Sequence, residues 1–445
     1  EITETVDEMM YYWDTDMSAY YFGIDSTVHT TNTVIEITDV VDYPPAYDSE
    51  VAEYTLASEY VDINDEIEDL AEEIIGGEDD LYKAVFALAA WTEQNIQYNL
   101  STIAADAVQP SSWVLENKQG VCDELTNLFM SMARSRGIPA RFVSGLVYTN
   151  TLYDFGPHGW AEVYIDGEWV PVDVTFGTFG WVDPGHVKFR DSVDSGDSSV
   201  HYEWVGNNAE IDTNELEVDG EVITATGQMP DMVIMDVDAL KSSVGPGSYV
   251  PIQITLENPN NFYLPLKLIV TKAPELDEDN TKSVLLEPYG QSVVFWEAVI
   301  PEDVEEGLQY TTTVEIETMF GQAAETEIEY QYGLDVYTKE ESDEIIELLS
   351  IDEDSDYLSD VELDCALDAE VYYNTDEATL SCTLSGELDD VEVCFADSCS
   401  TANEELSWTF DLETYESQKL LVTAQRDDQT KAEYVDLYII VEPEI

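Results

Sequence analysis

The chain has 445 residues, too many for one ordinary hydrophobic core and enough for about three domains. Acidic residues number 97 against 15 basic ones, a formal net charge of −82 spread along the whole length. That balance leaves no basic patch for nucleic acid or an anionic membrane as a direct partner, and no apolar run reaches the roughly 18 residues that a spanning helix needs.

High net charge often signals disorder, but 44% of the residues are hydrophobic, ample material for packed cores. Self-repulsion on this scale opposes a compact state in dilute buffer and is screened when the Debye length falls to roughly 3 Å at molar salt. The composition therefore suggests a halophile, archaeal in type. The sequence starts at Glu1 rather than Met, which suggests a signal or anchor removed before the numbering begins.

Residues 1–60 read as a strand-rich N-terminal segment, with VIEITDVV (34–41) as its clearest β run. From residue 61 the apolar period becomes helical. DINDEIEDLAEEII begins with an Asp or Asn cap and stops at Gly76 and Gly77, and DDLYKAVFALAAWTEQNIQY forms a second helix. A third helix begins at Cys122, with Leu125, Leu128, Phe129 and Met132 on one face and Gly137 and Pro139 at its end. A cysteine in a first helical turn faces free N–H groups and the positive end of the helix dipole, which favours thiolate; Asp123 and Glu124 push the other way. Such a thiol needs a base, and the chain offers four histidines: His29, His158, His186 and His201.

His158 opens HGWAEVYIDGEWVPVD, which reads as a β-hairpin around a two-residue Asp166-Gly167 turn. Pairing outward from the turn sets Ile165 against Glu168, Tyr164 against Trp169, Val163 against Val170, Ala161 against Val172 and Trp160 against Asp173. Ala161, Val163, Val170 and Val172 then share one face, while His158, Trp160 and Asp173 share the other. His158 lies one diagonal step from Asp173, within side-chain reach. A carboxylate beside an imidazole fixes its tautomer and stabilises the imidazolium formed when it takes a thiol proton.

Beyond the helices, residues 231–335 alternate apolar and polar positions between Asn, Pro and Gly turns, as an Ig-like sandwich does. An acidic helix, EESDEIIELL, and a linker occupy 336–360. About seven short strands follow over 361–445, at the spacing of a second sandwich of this type. That last segment holds four cysteines. Three pairings are possible, and the strand faces favour Cys365–Cys382 and Cys394–Cys399, an oxidised set suited to an extracellular setting; four reduced thiols are the alternative.

GVCDELTNLFMSMARSRGIPARFVSG, HGWAEVYIDGEWVPVDVTFG and GWVDPGHVKF, in that order, resemble the transglutaminase-like superfamily in its archaeal and bacterial form. The resemblance covers roughly residues 61–195 within a domain taken as 61–230. It implies an α+β papain-like core with Cys122 as nucleophile, His158 as general base and acid, and Asp173 as its orienter. The family often has Asp-Pro-Thr where this chain has Asp173-Val174-Thr175. For the oxyanion donor the candidates are the Cys122 N–H and Gln119, and Trp160 and Tyr148 are candidates for the cleft wall. His186 matches a family position and reads as structural; His29 and His201 read as surface or packing residues.

The whole is therefore expected to be an α+β catalytic core followed by two all-β sandwiches, an exported cell-surface protein acting on protein or peptide substrates. Thioester chemistry at Cys122 leads to a cysteine peptidase or amidase when water resolves it and to a cross-linking transglutaminase when a lysine amine does. A chain with ten lysines points to scarce acyl acceptors and favours hydrolysis. The competing reading is a surface adhesin whose sandwiches carry the function. The chemistry requires no cofactor. Calcium is one candidate ligand, because Asp352, Asp354, Asp356 and Asp360 fall at the spacing of a calcium loop, although Tyr357 stands where the turn calls for glycine. Asn99-Leu100-Ser101 is a lone glycosylation sequon.

Overall fold

The computed structural model describes residues 23–100, 108–149, 153–197 and 218–349 apart from positions 33 and 48. It also describes the short strands at 2–4 and 9–11 and, between 361 and 440, the strands with a few flanking residues. His201, Ser101 of the sequon and Asp352, Asp354, Asp356 and Asp360 lie outside the described residues.

The strand pair β1 (Ile2–Glu4) and β2 (Met9–Tyr11) precedes α1 (Asp65–Ile75) and α2 (Leu81–Asn95). Both helices start where short polar side chains take up free N–H groups: Asn64 Oδ1 accepts from Ile67 at 2.9 Å, and Asp80 Oδ1 accepts from Tyr82 at 2.8 Å. Gly76, at φ 61°, closes α1 in the left-handed region. Next come β3 (Gln97–Tyr98), a short α3 (Ser111–Asn117) that the apolar pattern does not announce, β4 (Gln119–Gly120) and α4 (Cys122–Ser135). Strands β5 (Ala140–Thr149), β6 (Asp154–Ile165), β7 (Glu168–Asp173), β8 (Thr178–Phe179) and β9 (His186–Ser192) form one antiparallel sheet in the order β8-β7-β6-β5-β9. The helices cover one face of this sheet, and Leu88, Leu128, Phe129, Met132, Phe142, Val163 and Val172 meet in the core between them.

Residues 234–330 form two sheets, of three and five strands, around a second core that includes Ile252, Leu266, Trp296 and Ile316. Helix α5 (Lys339–Leu349) follows. Residues 361–440 form a third strand-only region with its own core, in which disulfides join Cys365 to Cys382 and Cys394 to Cys399. No helix among the described residues is long and apolar enough to cross a membrane.

One expected strand is absent. VIEITDVV alternates as a strand should and buries Ile37, but it joins no ladder. Its carbonyls instead accept single bonds from loop and helix ends: Ile37 O from Tyr263 N–H at 2.9 Å and Val41 O from Leu81 N–H at 2.7 Å. The segment threads between elements, with Ile35 and Ile37 on the first core and Val34 on the second. Alternation reports which side chains are buried, not what the backbone pairs with. Between 23 and 60 the described backbone otherwise holds an isolated bridge at Asp42 and one turn of 3-10 helix at Ala52–Thr55, so it is not rich in strands.

The first two cores are joined at a polar seam. Lys267 Nζ, in the five-stranded sheet, lies 2.6 Å from Glu93 of α2 and donates to the Phe176 carbonyl at 2.9 Å, just beyond β7. Ser283 donates to the same Glu93 at 2.9 Å, and Tyr263 stacks on Tyr82 at 5.2 Å while its hydroxyl bonds Asp80. Both members of the Lys267–Glu93 pair are largely buried, so removing one strands the other. Lys267→Met is expected to lower the unfolding free energy by roughly 2 kcal/mol, and a double-mutant cycle with Glu93→Gln to show most of that loss as coupling. Denaturant midpoints of the four proteins at one salt concentration make the check.

Candidate active site

The site is assembled where the start of α4 meets the middle of β6. Cys122 is the first helical residue, and it is the cysteine outside the two disulfides. Ahead of it, Gly120 passes so close to α4 that a Cβ there would lie 2.8 Å from Glu124 Cβ. Glu124 does not face the sulfur as an anion. It turns back along the helix, Oε2 accepting from Val121 N–H at 2.8 Å and Oε1 from Gln109 N–H at 3.2 Å. Its carboxylate is thus engaged at the helix start, and of the two acidic residues after Cys122 it is Asp123 that acts against the thiolate.

The hairpin register runs from Ile165 opposite Glu168 to Ala161 opposite Val172, around a turn in which Asp166 (φ 51°) and Gly167 (φ 86°) both adopt the left-handed region. This pairing carries His158 Nε2 to 2.6 Å from Asp173 Oδ2, with Asp173 fully buried. Asp173 Oδ1 accepts from the N–H groups of Thr175 at 2.8 Å and Phe176 at 3.2 Å, so the carboxylate is held on all sides. Burial opposes its ionisation, but His158 and then His186 outweigh that and hold the Asp173 carboxyl below the usual carboxylate range. An ionised carboxylate only accepts, so the His158 Nε2 that faces Asp173 carries a proton, and Nδ1 is the ring nitrogen left for proton exchange.

The Cys122 thiol lies 3.5 Å from Asp123 Oδ1, to which it donates, and the Gly159 N–H lies where it favours the thiolate. Gly159 follows His158 directly, and the cysteine and the imidazole are thereby brought to the same stretch of β6. A Cβ at Gly159 would sit 2.3 Å from the Phe142 ring and 2.6 Å from Asp123 Oδ1, so only glycine permits this approach. Burial pushes the Cys122 thiol up, Asp123 pushes it the same way, and the Gly159 N–H pulls it back. At rest the sulfur is a neutral thiol.

His186 opens β9 and was read from sequence as structural; the structure brings it into the site. Its Nε2 lies 3.2 Å from the same Asp173 Oδ2 that bonds His158, and its Nδ1 lies 3.1 Å from Asp183 Oδ2. Burial lowers the His186 pKa, but the bonds to Asp173 and Asp183 prevail and push it up to about 9. The donor atoms of His158, Asp173 and His186 lie within 4.8 Å of one another, with both imidazoles bonded to Asp173 Oδ2.

The other sequence candidates fall as follows. Trp160 is 2% exposed and stands behind the imidazoles, stacked on His158 at 6.0 Å and edge-on to His186 at 5.3 Å. Tyr148 packs on Phe155 at 5.4 Å, near the end of β5. Gln119 Oε1 accepts from Asn99 Nδ2 at 2.8 Å, in the bridge that also pairs Tyr98 with Gly120. His29 is exposed, as read. Two neighbours were not singled out from sequence. Tyr98 is raised to about 12 by burial and then by the charges of Cys122, Asp123 and Asp173. Phe176 meets the His158 ring edge-on at 5.2 Å while remaining 38% exposed.

Replacing Asp123 by Asn removes the charge next to the sulfur and keeps the shape. The thiol should then ionise at lower pH, and alkylation of Cys122 in the folded protein at neutral pH should accelerate by about tenfold. Rates with iodoacetamide, read by mass spectrometry of the Cys122 peptide, test this; an unchanged rate would mean that Asp123 does not control the sulfur.

Residues 68–174 match the family described as the Transglutaminase-like superfamily. The curated relative YebA of Bacillus subtilis (strain 168), an uncharacterised protein, is 26% identical over 167 residues, which are 32% of this chain and 22% of that one. The chain thus spans about a fifth of that relative's length. Among solved structures, a candidate cysteine protease from Cytophaga hutchinsonii shares 24% identity with a TM-score of 0.30, covering 34% of this chain and 50% of that one. The transglutaminase of red sea bream shares 11% identity with a TM-score of 0.21, covering 84% of this chain and 72% of that one. The family match supports a thiol-based enzyme in general terms.

Proposed function

We propose that this chain is a cysteine hydrolase, a peptidase or amidase that acts through a thioester on Cys122. The observation that carries the reading is the convergence on one stretch of β6. Gly159 passes so close to the start of α4 that a Cβ there would lie 2.6 Å from Asp123 Oδ1, next to Cys122, and His158, one residue earlier, is anchored through Nε2 to buried Asp173 at 2.6 Å. In the first step the Cys122 S–H proton passes to His158 Nδ1 as the sulfur attacks an amide carbonyl. His158, now an imidazolium on Asp173, returns that proton to the leaving amine, and the C–N bond breaks to leave a thioester. Water then loses a proton to His158 and attacks the thioester, releasing the acid and restoring the thiol. A neutral resting thiol fits this order, because the proton leaves the sulfur only as substrate arrives.

The Cys122 N–H at the start of α4 is one donor for the developing oxyanion. The substrate class is protein or peptide, and the two Ig-like sandwiches would set reach and partner choice. The disulfides at 365–382 and 394–399 favour an oxidising, extracellular setting, and the charge of −82 favours a salt-rich one.

Wild type and Cys122→Ala, each incubated at molar salt with a mixed peptide library and a labelled primary amine, separate the chemical possibilities. Cleaved peptides that disappear in the mutant are expected. Amine adducts in place of cleavage would reassign the enzyme as a transamidase, and a Cys122 thiol inert until denaturation would favour a surface protein without catalysis. Thermal midpoints should rise with KCl up to molar concentrations, because screening relieves the self-repulsion; a flat or falling curve would sink the halophilic reading.

A further inference from the structure

We propose that His186 is a positioning residue of the thiol site, tying the buried Asp173 carboxylate to Asp183 and sharing Asp173 Oδ2 with His158. The inference rests on the reading of Cys122 as a nucleophile and extends it from three residues to five.

The hydrogen-bond inventory carries the argument. Asp173 Oδ2 takes His158 Nε2 at 2.6 Å and His186 Nε2 at 3.2 Å, while Oδ1 takes two backbone N–H groups. The other nitrogen of His186 faces the Asp183 carboxylate at 3.1 Å and the Asp183 carbonyl at 3.2 Å. Every oxygen around the ring only accepts, so both ring nitrogens donate and the ring carries a positive charge. Asp183 is itself tied, its Oδ1 accepting from Gly185 N–H at 2.6 Å, which fixes the turn that delivers His186. Trp160 and Phe176 wall the imidazoles on the remaining sides, and the charged or titratable groups facing them are Asp173, Asp183 and, across from β6, Cys122 and Asp123.

The arrangement also sets the charge around the sulfur. The Asp173 carboxylate opposes ionisation of Cys122, and the His186 ring, donating to Asp173 Oδ2 and to Asp183, offsets that negative charge. Removing the cation makes the surroundings more negative and raises the pH at which Cys122 ionises.

The test uses the full chain with labelled histidines, of which there are four, and two variants, His186→Gln and Asp183→Asn. In wild type, imidazole nitrogen resonances should show His186 doubly protonated through neutral pH, losing its proton near pH 9, and Asp183→Asn should lower that midpoint. In His186→Gln, the pH profile of Cys122 alkylation should move upward as a whole, by about one pH unit. A merely structural His186 predicts a lower rate at every pH with no displacement, and that result would overturn the proposal. So would a His186 that titrates at or below the ordinary 6.5. Should His186→Gln fail to fold, the resonances of wild type and Asp183→Asn decide the matter. A Cys122 inert at every pH in native wild type would defeat the hydrolase reading, while the resonances would still judge His186 independently.

Discussion

The geometry of the thiol site depends on the register of one hairpin. Side chains alternate along a strand with a period of two, so a slip of one residue in β6 or β7 would send either His158 or Asp173 to the opposite face of the sheet. Asp166 and Gly167 prevent the slip, because a two-residue turn with both residues left-handed matches the twist of its flanking strands and admits one pairing. The apolar face formed by Ala161, Val163, Val170 and Val172 reinforces it, since any other register would expose those four side chains and bury their polar neighbours. Sheet order then does the rest. With β5 between β6 and β9, His186 at the start of β9 reaches the same carboxylate from the other side.

Much of this was legible in sequence because it is local. The turn residues, the apolar alternation and the helix beginning at Cys122 all depend on neighbours a few positions away, and the register read from them matches the observed pairs from Ile165–Glu168 to Ala161–Val172. Both disulfides followed from the same kind of argument, since strand faces place Cys365 opposite Cys382 and Cys394 opposite Cys399. What escaped was set by contacts distant in sequence or by the direction of a side chain. The spacing between His186 and Asp173 reveals nothing of their contact, which requires knowing that β9 pairs with β5. Glu124 was read as a charge opposing the thiolate, yet the same carboxylate at the third helical position is a cap, and a cap faces the helix start. VIEITDVV has the alternation of a strand and lacks a partner, because its neighbours in space are loop ends rather than an edge.

The loop after β7 links the chemistry to the rest of the molecule. Thr175 and Phe176 donate to Asp173 Oδ1, the Phe176 ring covers His158, and the Phe176 carbonyl accepts from Lys267 of the neighbouring five-stranded sheet. Trp181, a few residues on, meets Phe320 of the region that follows, at 5.1 Å. The strand end that orients the base is therefore packed between two hydrophobic cores. A loop holding a buried carboxylate gains from that support, because its backbone N–H groups fix Asp173 Oδ1 while His158 and His186 keep the carboxyl ionised.

A chain with so few cations must place them with care, and their positions follow a pattern. Arg134 is 2% exposed and forms no salt bridge among the described residues, and its guanidinium donates to the carbonyls of Leu56 at 2.9 Å and Ala140 at 2.7 Å, joining segments that would otherwise leave buried oxygens unmet. Lys267 sits at the seam between the first two cores, and Lys339 gathers Asp277 and Glu297 at the foot of α5. Arg134 and Lys267 answer carbonyls and a carboxylate that are shielded from water, while Lys339 meets its carboxylates at the surface. His186 belongs to the same economy: its charge is set against Asp173 and Asp183, which among the described residues pair with no lysine or arginine, and it offsets a buried carboxylate next to the place where a proton has to move.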